Sequence, residues 1–480
     1  MTELSGLSAG AAQRVITPPV GASLVGYASR AAGDLHSRYV HDDLLAKALV
    51  LRSARAGWAL IAADLIGIDS VAVGRIRAAV AARTNLAPEA ILVCATHTHA
   101  GPAVCAIAGA VAPEDLNAVG PDGKVTASYG RPIAALSPTA YYSGLVDEAW
   151  KDWMIGQTVE AAVEAWHTAR EAEIAFGETE VEGVASSRRV RLSDGSWADP
   201  RREAPAGAHV VSRTAIDPVA RVLAVRDRQS HVPLAVLVNY STHPWVFNTS
   251  GLSAELAGAA SRQIAAAWQA PGAAAPIVLH TTGPQGDVTL IWNIQVDKVW
   301  QLQPGEGLAD SLPRRERGFD EELDRLGRRL ADRVLALLAG MHNWRGDLSL
   351  GAERREILLP LKKDYRPPRE ILLSGWQNKA PAGQHMTELQ LLRAGDWGLL
   401  ALPGEPFTSL GRLIRAQAPL PDLMLVAVAN DYGALSYMAE RPDYEQGGYE
   451  LVVSPAGAGA GETLVAEAAA FLKAAASRAG

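Results

Sequence analysis

The sequence predicts an α/β fold: one mixed β-sheet or two stacked ones, flanked by helices, with a candidate metal site at the carboxyl ends of strands. Two observations carry that expectation. Short apolar runs of strand length alternate with long amphipathic segments along the 480 residues. Polar residues able to do chemistry recur at the ends of the apolar runs, where α/β sheets gather their ligands. No internal repeat and no low-complexity linker divides the chain. Residues 1–480 are therefore read as a single domain with long excursions near 103–143, 292–318 and 362–388.

In chain order, "WALIAADL" (58–65) reads as a strand, "SVAVGRIRAAVAART" (70–84) as a helix and "AILVCATH" (90–97) as the next strand. About 20 residues separate the two strands, the length of a parallel crossover. The Gly- and Pro-studded stretch from Gly101 to Ser143 is too long for an ordinary connection and is a candidate lid. A helix is expected from Val146 to Ala172, and further helices at 255–270, 319–340, 408–418 and 462–478. Further strands read at 219–227, 233–243, 276–283, 396–405 and 423–431.

Bulk properties exclude several classes. A hydrophobic fraction of 48% and a charged fraction of 20% describe an ordinary globular protein with material for a sizeable core. A net charge of −7, with Lys and Arg scattered, gives no footprint for nucleic acid. No stretch approaches the roughly 18 apolar residues of a membrane span, so no integral membrane segment is expected. The first residues lack the pattern of a secretory signal. Cys94 and Cys105 are the only cysteines and make no disulfide framework. The expected location is cytoplasmic and the expected partner a small-molecule substrate, with a homo-oligomer left open.

The chemistry concentrates in "ATHTHAGPA" (95–103). His97 and His99 follow an apolar strand, and residues two apart in an extended chain face the same way. Both imidazoles then face one point, and neutral imidazole is a common zinc ligand. The plain alternative is a pair of hydrogen-bonded polar residues at a strand end. Asp64, His243, His280 and Glu405 end other apolar runs, which favours the metal reading. For Asp64 and His280, a purely structural role at the strand end is the simpler expectation.

These residues also resemble a family, the neutral, non-lysosomal ceramidases and their bacterial relatives. The segment Thr96-His97-Thr98-His99-Ala100-Gly101-Pro102 is similar to the family's Thr-His-Thr-His-Ser-Gly-Pro. His243-Pro244, Pro403-Gly404-Glu405 and Tyr449-Glu450 follow in the family's order, as do "SSRRVR" (186–191) and "SRTAIDP" (212–218). The resemblance implies a neutral ceramidase catalytic-domain-like fold and a zinc ion held by His97, His243, Glu405 and Tyr449. It makes His99 a proton-shuttling neighbour and places Arg188, or else Arg189, near the substrate. Two imidazoles, a carboxylate and a phenolate suit zinc better than calcium or magnesium. The family's Gly-Asp-Val-Ser-Pro appears as Gly286-Asp287-Val288-Thr289-Leu290, so Thr289 stands where a catalytic serine is expected. The family's signal segment and C-terminal β-sandwich are not expected here.

Other patterns fit less well. No Asp-His follows the histidine pair as in metallo-β-lactamases, no eight even strand–helix units indicate an amidohydrolase barrel, and no Gly-x-Ser-x-Gly elbow is present. "GAGAGE" (457–462) reads as a turn, not a phosphate loop. His36, His41, Trp245, Trp292, Trp300 and Tyr365 are candidates for the pocket wall. Three functions are weighed: a zinc-dependent amide hydrolase on a smaller, soluble substrate than ceramide; a zinc-dependent ester or lactone hydrolase, lyase or isomerase acting on a small polyhydroxylated compound; and a binding protein without catalysis.

Overall fold

The computed structural model describes residues 6–26, 36–105, 125–127, 131–133, 146–199, 207–244, 250–291, 308–363 and 379–479. Strand β1 (Ser8–Val15) pairs antiparallel with β2 (Leu45–Arg52), which pairs antiparallel with β3 (Gly57–Ala63). Helix α1 (Ser70–Ala81) then carries the chain to β4 (Ile91–Ala95), parallel to β3. The Asp69 carboxylate starts α1 by accepting the Ala72 amide at 2.8 Å, and Val73, Ile76 and Val80 are buried on the helix's inner face. All five residues of β4 are buried, as an uninterrupted apolar run between covered faces requires.

Helix α2 (Glu148–His167) packs on β1, and a Cβ at Gly10 would lie 2.0 Å from the Ala165 carbonyl oxygen. Only glycine permits that approach. Strand β5 (Arg170–Glu180) follows, then the short β6 (Ala185–Ser187), β7 (Val219–Asp227) and β8 (Pro233–Asn239). Helix α3 (Glu255–Trp268) leads to β9 (Ile277–Thr281), parallel to β8, and β10 (Val288–Leu290) pairs with β6. The eight-stranded sheet runs β9-β8-β7-β5-β1-β2-β3-β4.

This sheet folds over on itself. Residues alternate along β7 and β8: Leu223, Val225 and Leu237 share a core with Leu49, Leu51 and Leu60 of β2 and β3. Val222, Val236 and Val238 face the other way, against Leu256 and Ile264 of α3 and Leu326, Leu330 and Val334 of α4 (Leu308–Gly340). A second sheet, β11 (Leu350–Pro360), β12 (Gln384–Ala394), β13 (Trp397–Ala401) and β14 (Asp422–Val426), has its own core beneath α5 (Thr408–Gln417) and α6 (Ala460–Ala479). Strands β13 and β14 are parallel and joined through α5.

Three parallel crossovers therefore recur: β3–α1–β4, β8–α3–β9 and β13–α5–β14. Their carboxyl ends meet. Asn430 donates its amide to the Val93 carbonyl in β4, and Ala427 donates to Thr282 just past β9. Both interactions seam the second sheet to the first.

The expected excursions are shorter than the sequence suggests where they can be described. The third ends at β12, whose polar start, Gln384–Glu388, hid a strand paired along its full length with β11. The second ends where α4 begins, at Leu308. Within the first, Val125–Ala127 pairs with Arg131–Ile133. The rest of these segments lies outside the described residues, as do Trp245, Trp292, Trp300 and Tyr365. Of "GAGAGE", Gly461 abuts the Ala439 carbonyl and Gly459 has φ +101°, the marks of a close-packed turn leading into α6.

Candidate metal centre

Each crossover delivers one donor to a common point. His97 lies two residues past β4, His243 follows β8 and Glu405 follows β13. All three side chains are essentially buried, at 1, 0 and 2% exposure. The histidine pair does converge, though not along an extended strand. His97 takes φ +69°, a left-handed conformation costly for a non-glycine residue, and the chain kinks there. The kink brings the Nε2 atoms of His97 and His99 to 3.3 Å.

Backbone carbonyls fix the direction of every ring. His97 Nδ1 lies 2.6 Å from the Ile66 oxygen, His99 Nδ1 2.9 Å from Gly26 and His243 Nδ1 3.1 Å from Gln285. A carbonyl only accepts, so each Nδ1 carries the proton and each Nε2 turns a lone pair inward. The two Nε2 atoms of His97 and His243 are 3.3 Å apart. Glu405 Oε2 is 3.3 Å from the first and 3.0 Å from the second. That oxygen is buried and has no hydrogen-bond donor. Three inward acceptors in contact repel one another unless a cation lies between them. Donors 2.0–2.2 Å from a tetrahedral zinc are spaced about 3.3–3.6 Å apart, close to this triangle. The residues fit a divalent metal.

Electrostatics agree. Burial pushes His243 down to about 3, with the nearby Arg188 charge adding to it. Burial and the two neighbouring imidazoles hold His99 well below the ordinary histidine range. Burial acting alone would raise Glu405, but positive charge on the His97 and His243 side outweighs it and keeps the carboxyl low. The lowered His99 and His243 beside an ionised Glu405 leave room for positive charge. Among the described residues, His97, His99 and His243 form a buried group with their ligand atoms within 4.8 Å of one another.

A ring of polar residues surrounds the donors. Arg188, not Arg189, faces them: its guanidinium lies 5.1 Å over the Tyr437 ring, and Tyr437 stacks on His243 at 6.1 Å. Glu450 fixes Arg188 through a 2.7 Å contact to Nε. Arg189 turns away to the Gly447 carbonyl, at 2.7 Å. Thr289 is buried in β10 opposite Ser186. Its neighbour Asp287 is structural, accepting the Thr408 amide at 2.7 Å at the start of α5. Tyr449 begins the short helix Tyr449–Val453, and its side chain lies outside the described residues.

The remaining strand-end candidates stand apart from the donors. Asp64 accepts the Leu45 amide at 3.0 Å, and burial raises its pKa, as a structural carboxyl would show. His280 is buried in β9. His41 bridges Asp42 at 3.2 Å and Asp320 at 2.9 Å, and His36 is exposed.

Three residues escaped sequence reasoning. Tyr432 donates its hydroxyl to Glu405 Oε1 at 2.8 Å, and Tyr437 covers His243. Glu255, buried at the head of α3 with φ +47°, accepts the His99 amide at 2.8 Å and the Thr98 hydroxyl at 3.0 Å. For Tyr432 a signal existed: it immediately follows the strand-end run "LMLVAVAND".

The fold is that of a ceramidase-like α/β protein with a buried histidine–carboxylate cluster at its strand ends. A structure described as a ceramidase complexed with C2 superposes with a TM-score of 0.69 at 15% identity, over 99% of this chain and 76% of that one. The neutral ceramidase from Pseudomonas aeruginosa gives 0.66 at 16% identity, over 98% of this chain and 75% of that one. At these identities the likeness is one of fold. No family model matches the chain, and no curated protein matches it.

Proposed function

We propose that the chain is a zinc-dependent hydrolase that cleaves an amide bond in a substrate smaller and more polar than ceramide. The observation that carries this reading is the closed triangle of His97 Nε2, His243 Nε2 and Glu405 Oε2, with edges of 3.3, 3.3 and 3.0 Å and both Nδ1 atoms committed to backbone carbonyls. The solved ceramidase structures support the reaction class by analogy of fold. Zinc at that point would supply Lewis acidity, able to polarise a carbonyl and to lower the pKa of water to about 7.

The chain's own residues do the rest. His97, His243 and Glu405 would hold the ion. The fourth donor is a phenol: the sequence resemblance assigns Tyr449, while the stacking on His243 favours Tyr437. His99 contacts His97 at 3.3 Å, and its Nδ1 is committed to Gly26, which leaves its Nε2 to take a proton and pass it to the leaving amine. Arg188, held by Glu450, orients a polar group of the substrate. Thr289 offers the hydroxyl that the family's serine would. Among the described residues no helix is long and apolar enough to cross a membrane, and the excursion sequences are polar with isolated tryptophans, which suits a mixed pocket for a small molecule.

Metal analysis of protein purified without added metal should give about one zinc per chain. Kinetics on short soluble amides, esters and sugar acids, run beside long-chain ceramide in detergent micelles, tests the substrate. Ceramide turnover with kcat/KM of about 10⁴ M⁻¹s⁻¹ or more overturns the soluble-substrate reading. Activity confined to esters or sugar acids replaces the amidase reading with lactone, lyase or isomerase chemistry.

A further inference from the structure

We propose that Tyr432 is a positioning residue that makes Glu405 a one-oxygen ligand, and that it thereby sets how tightly and in what geometry the centre holds its metal. The inference rests on the metal reading above. A carboxylate free to rotate can offer a metal both oxygens. Here Oε1 is engaged by the Tyr432 hydroxyl at 2.8 Å while Oε2 points between His97 and His243. Turning the carboxylate to present both oxygens would break that hydrogen bond inside a buried site, where an orphaned polar group is costly.

The phenol is itself fixed. A Cβ on Gly67 would lie 1.9 Å from the Tyr432 ring, so the ring fills the space that only glycine leaves. The His97 ring meets it edge-on at 5.6 Å, and the Tyr432 amide donates to the Ile68 carbonyl at 3.1 Å. The preceding residue, Asp431, is anchored by a buried contact to His385 Nε2 at 2.7 Å. The stretch that cradles Tyr432 also aims His97: the Leu65 carbonyl accepts the His97 amide at 2.9 Å and Ile66 accepts its Nδ1. Residues 65–68 therefore act as one template for an imidazole donor and for the group that orients the carboxylate donor.

The test is Tyr432→Phe, which removes one oxygen and keeps the ring. Zinc affinity is read by competition with a chromophoric chelator, and coordination by the visible spectrum of the cobalt-substituted protein. The variant is expected to bind zinc about 10- to 100-fold more weakly. Its cobalt bands should lose the intensity of a four-coordinate site as Glu405 brings in its second oxygen. Wild-type protein that loads metal alongside a Tyr432→Phe variant of equal affinity and identical spectrum overturns this inference alone. Wild-type protein that takes up no metal overturns the metal reading and this inference with it. Should Tyr432→Phe fail to fold, 3-fluorotyrosine at 432 keeps the ring and sharpens the donor. Its cobalt spectrum is expected to shift, and an unchanged spectrum overturns the inference.

Discussion

Stripping the metal should destabilise the protein by an amount that can be worked out in advance. In the folded chain three acceptor atoms lie 3.0–3.3 Å apart with no donor between them. The unfolded chain has no such site, so zinc held there would stabilise the native state by RT ln(1 + [Zn]/Kd). Each tenfold rise in free zinc above Kd adds about 1.4 kcal/mol. Unfolding entropy near 60 °C is about 2.1 cal/mol/K per residue, and the chain has 480 residues. The total is roughly 1.0 kcal/mol/K, so Tm should climb by about 1.4 °C per decade of free zinc. A zinc level of about 1,000 Kd should raise it by some 4 °C over the chelated protein. Melts in a series of metal buffers would show a flat segment, a break at Kd and then that slope. His243→Ala should move the break at least about tenfold higher, since Glu405 Oε2 then faces one imidazole instead of two. A Tm that ignores free zinc in the wild type would refute the reasoning. So would a His97→Ala/His243→Ala double variant with an unshifted break.

Three further outcomes are expected. His99→Ala should keep most of its zinc yet lose about 10²- to 10⁴-fold in kcat; metal loss in step with activity, measured on the same samples, would make His99 a ligand. Of Tyr437→Phe and Tyr449→Phe, the variant that loses zinc by metal analysis identifies the phenol donor, and retention in both leaves the centre with no phenol. Burial, then the Lys47 charge, pushes His280 down to about 3 against an ordinary value of 6.5. The unfolded state then binds more protons between those values, so stability rises with pH across that window and is lost as pH falls through it. His280→Gln should flatten this acid limb in urea titrations, and an unchanged limb would count against the buried neutral imidazole.

The parts legible in the sequence were those with a local signature. The β3–α1–β4 crossover follows from apolar runs separated by an amphipathic segment, and His97, His243 and Glu405 were visible as polar residues ending such runs. The three parallel crossovers repeat one local grammar, so their carboxyl ends could be read before their meeting was known. Tyr437 and Glu255 carry no such mark, and Tyr432 carries only its place directly after a strand-end run. Tyr432 matters because Gly67, far away in sequence, leaves space for its ring, and Glu255 because α3 begins beside the histidine loop. Residues defined by a tertiary neighbour have no period or motif to betray them. The kink at His97 was equally hidden: the alternation rule assumes an extended strand, and the chain leaves that state at the functional residue itself. The overfolded first sheet depends on which faces of β7 and β8 meet β2 and β3, which short apolar runs do not disclose.

The origin of the three donors in separate crossovers has a kinetic consequence. His97 and His243 are 146 residues apart, and Glu405 lies farther on. In an unfolded chain, bringing the first two together costs about 4 kcal/mol of loop-closure entropy before a third ligand is considered. On the proposed reading, that cost favours an ion that would act as a clasp fastened after the three units have docked. Refolding should then proceed at the same rate with and without zinc, while unfolding slows as zinc is added. A chevron whose folding limb moves with zinc would mean that two of the donors meet before the sheets do.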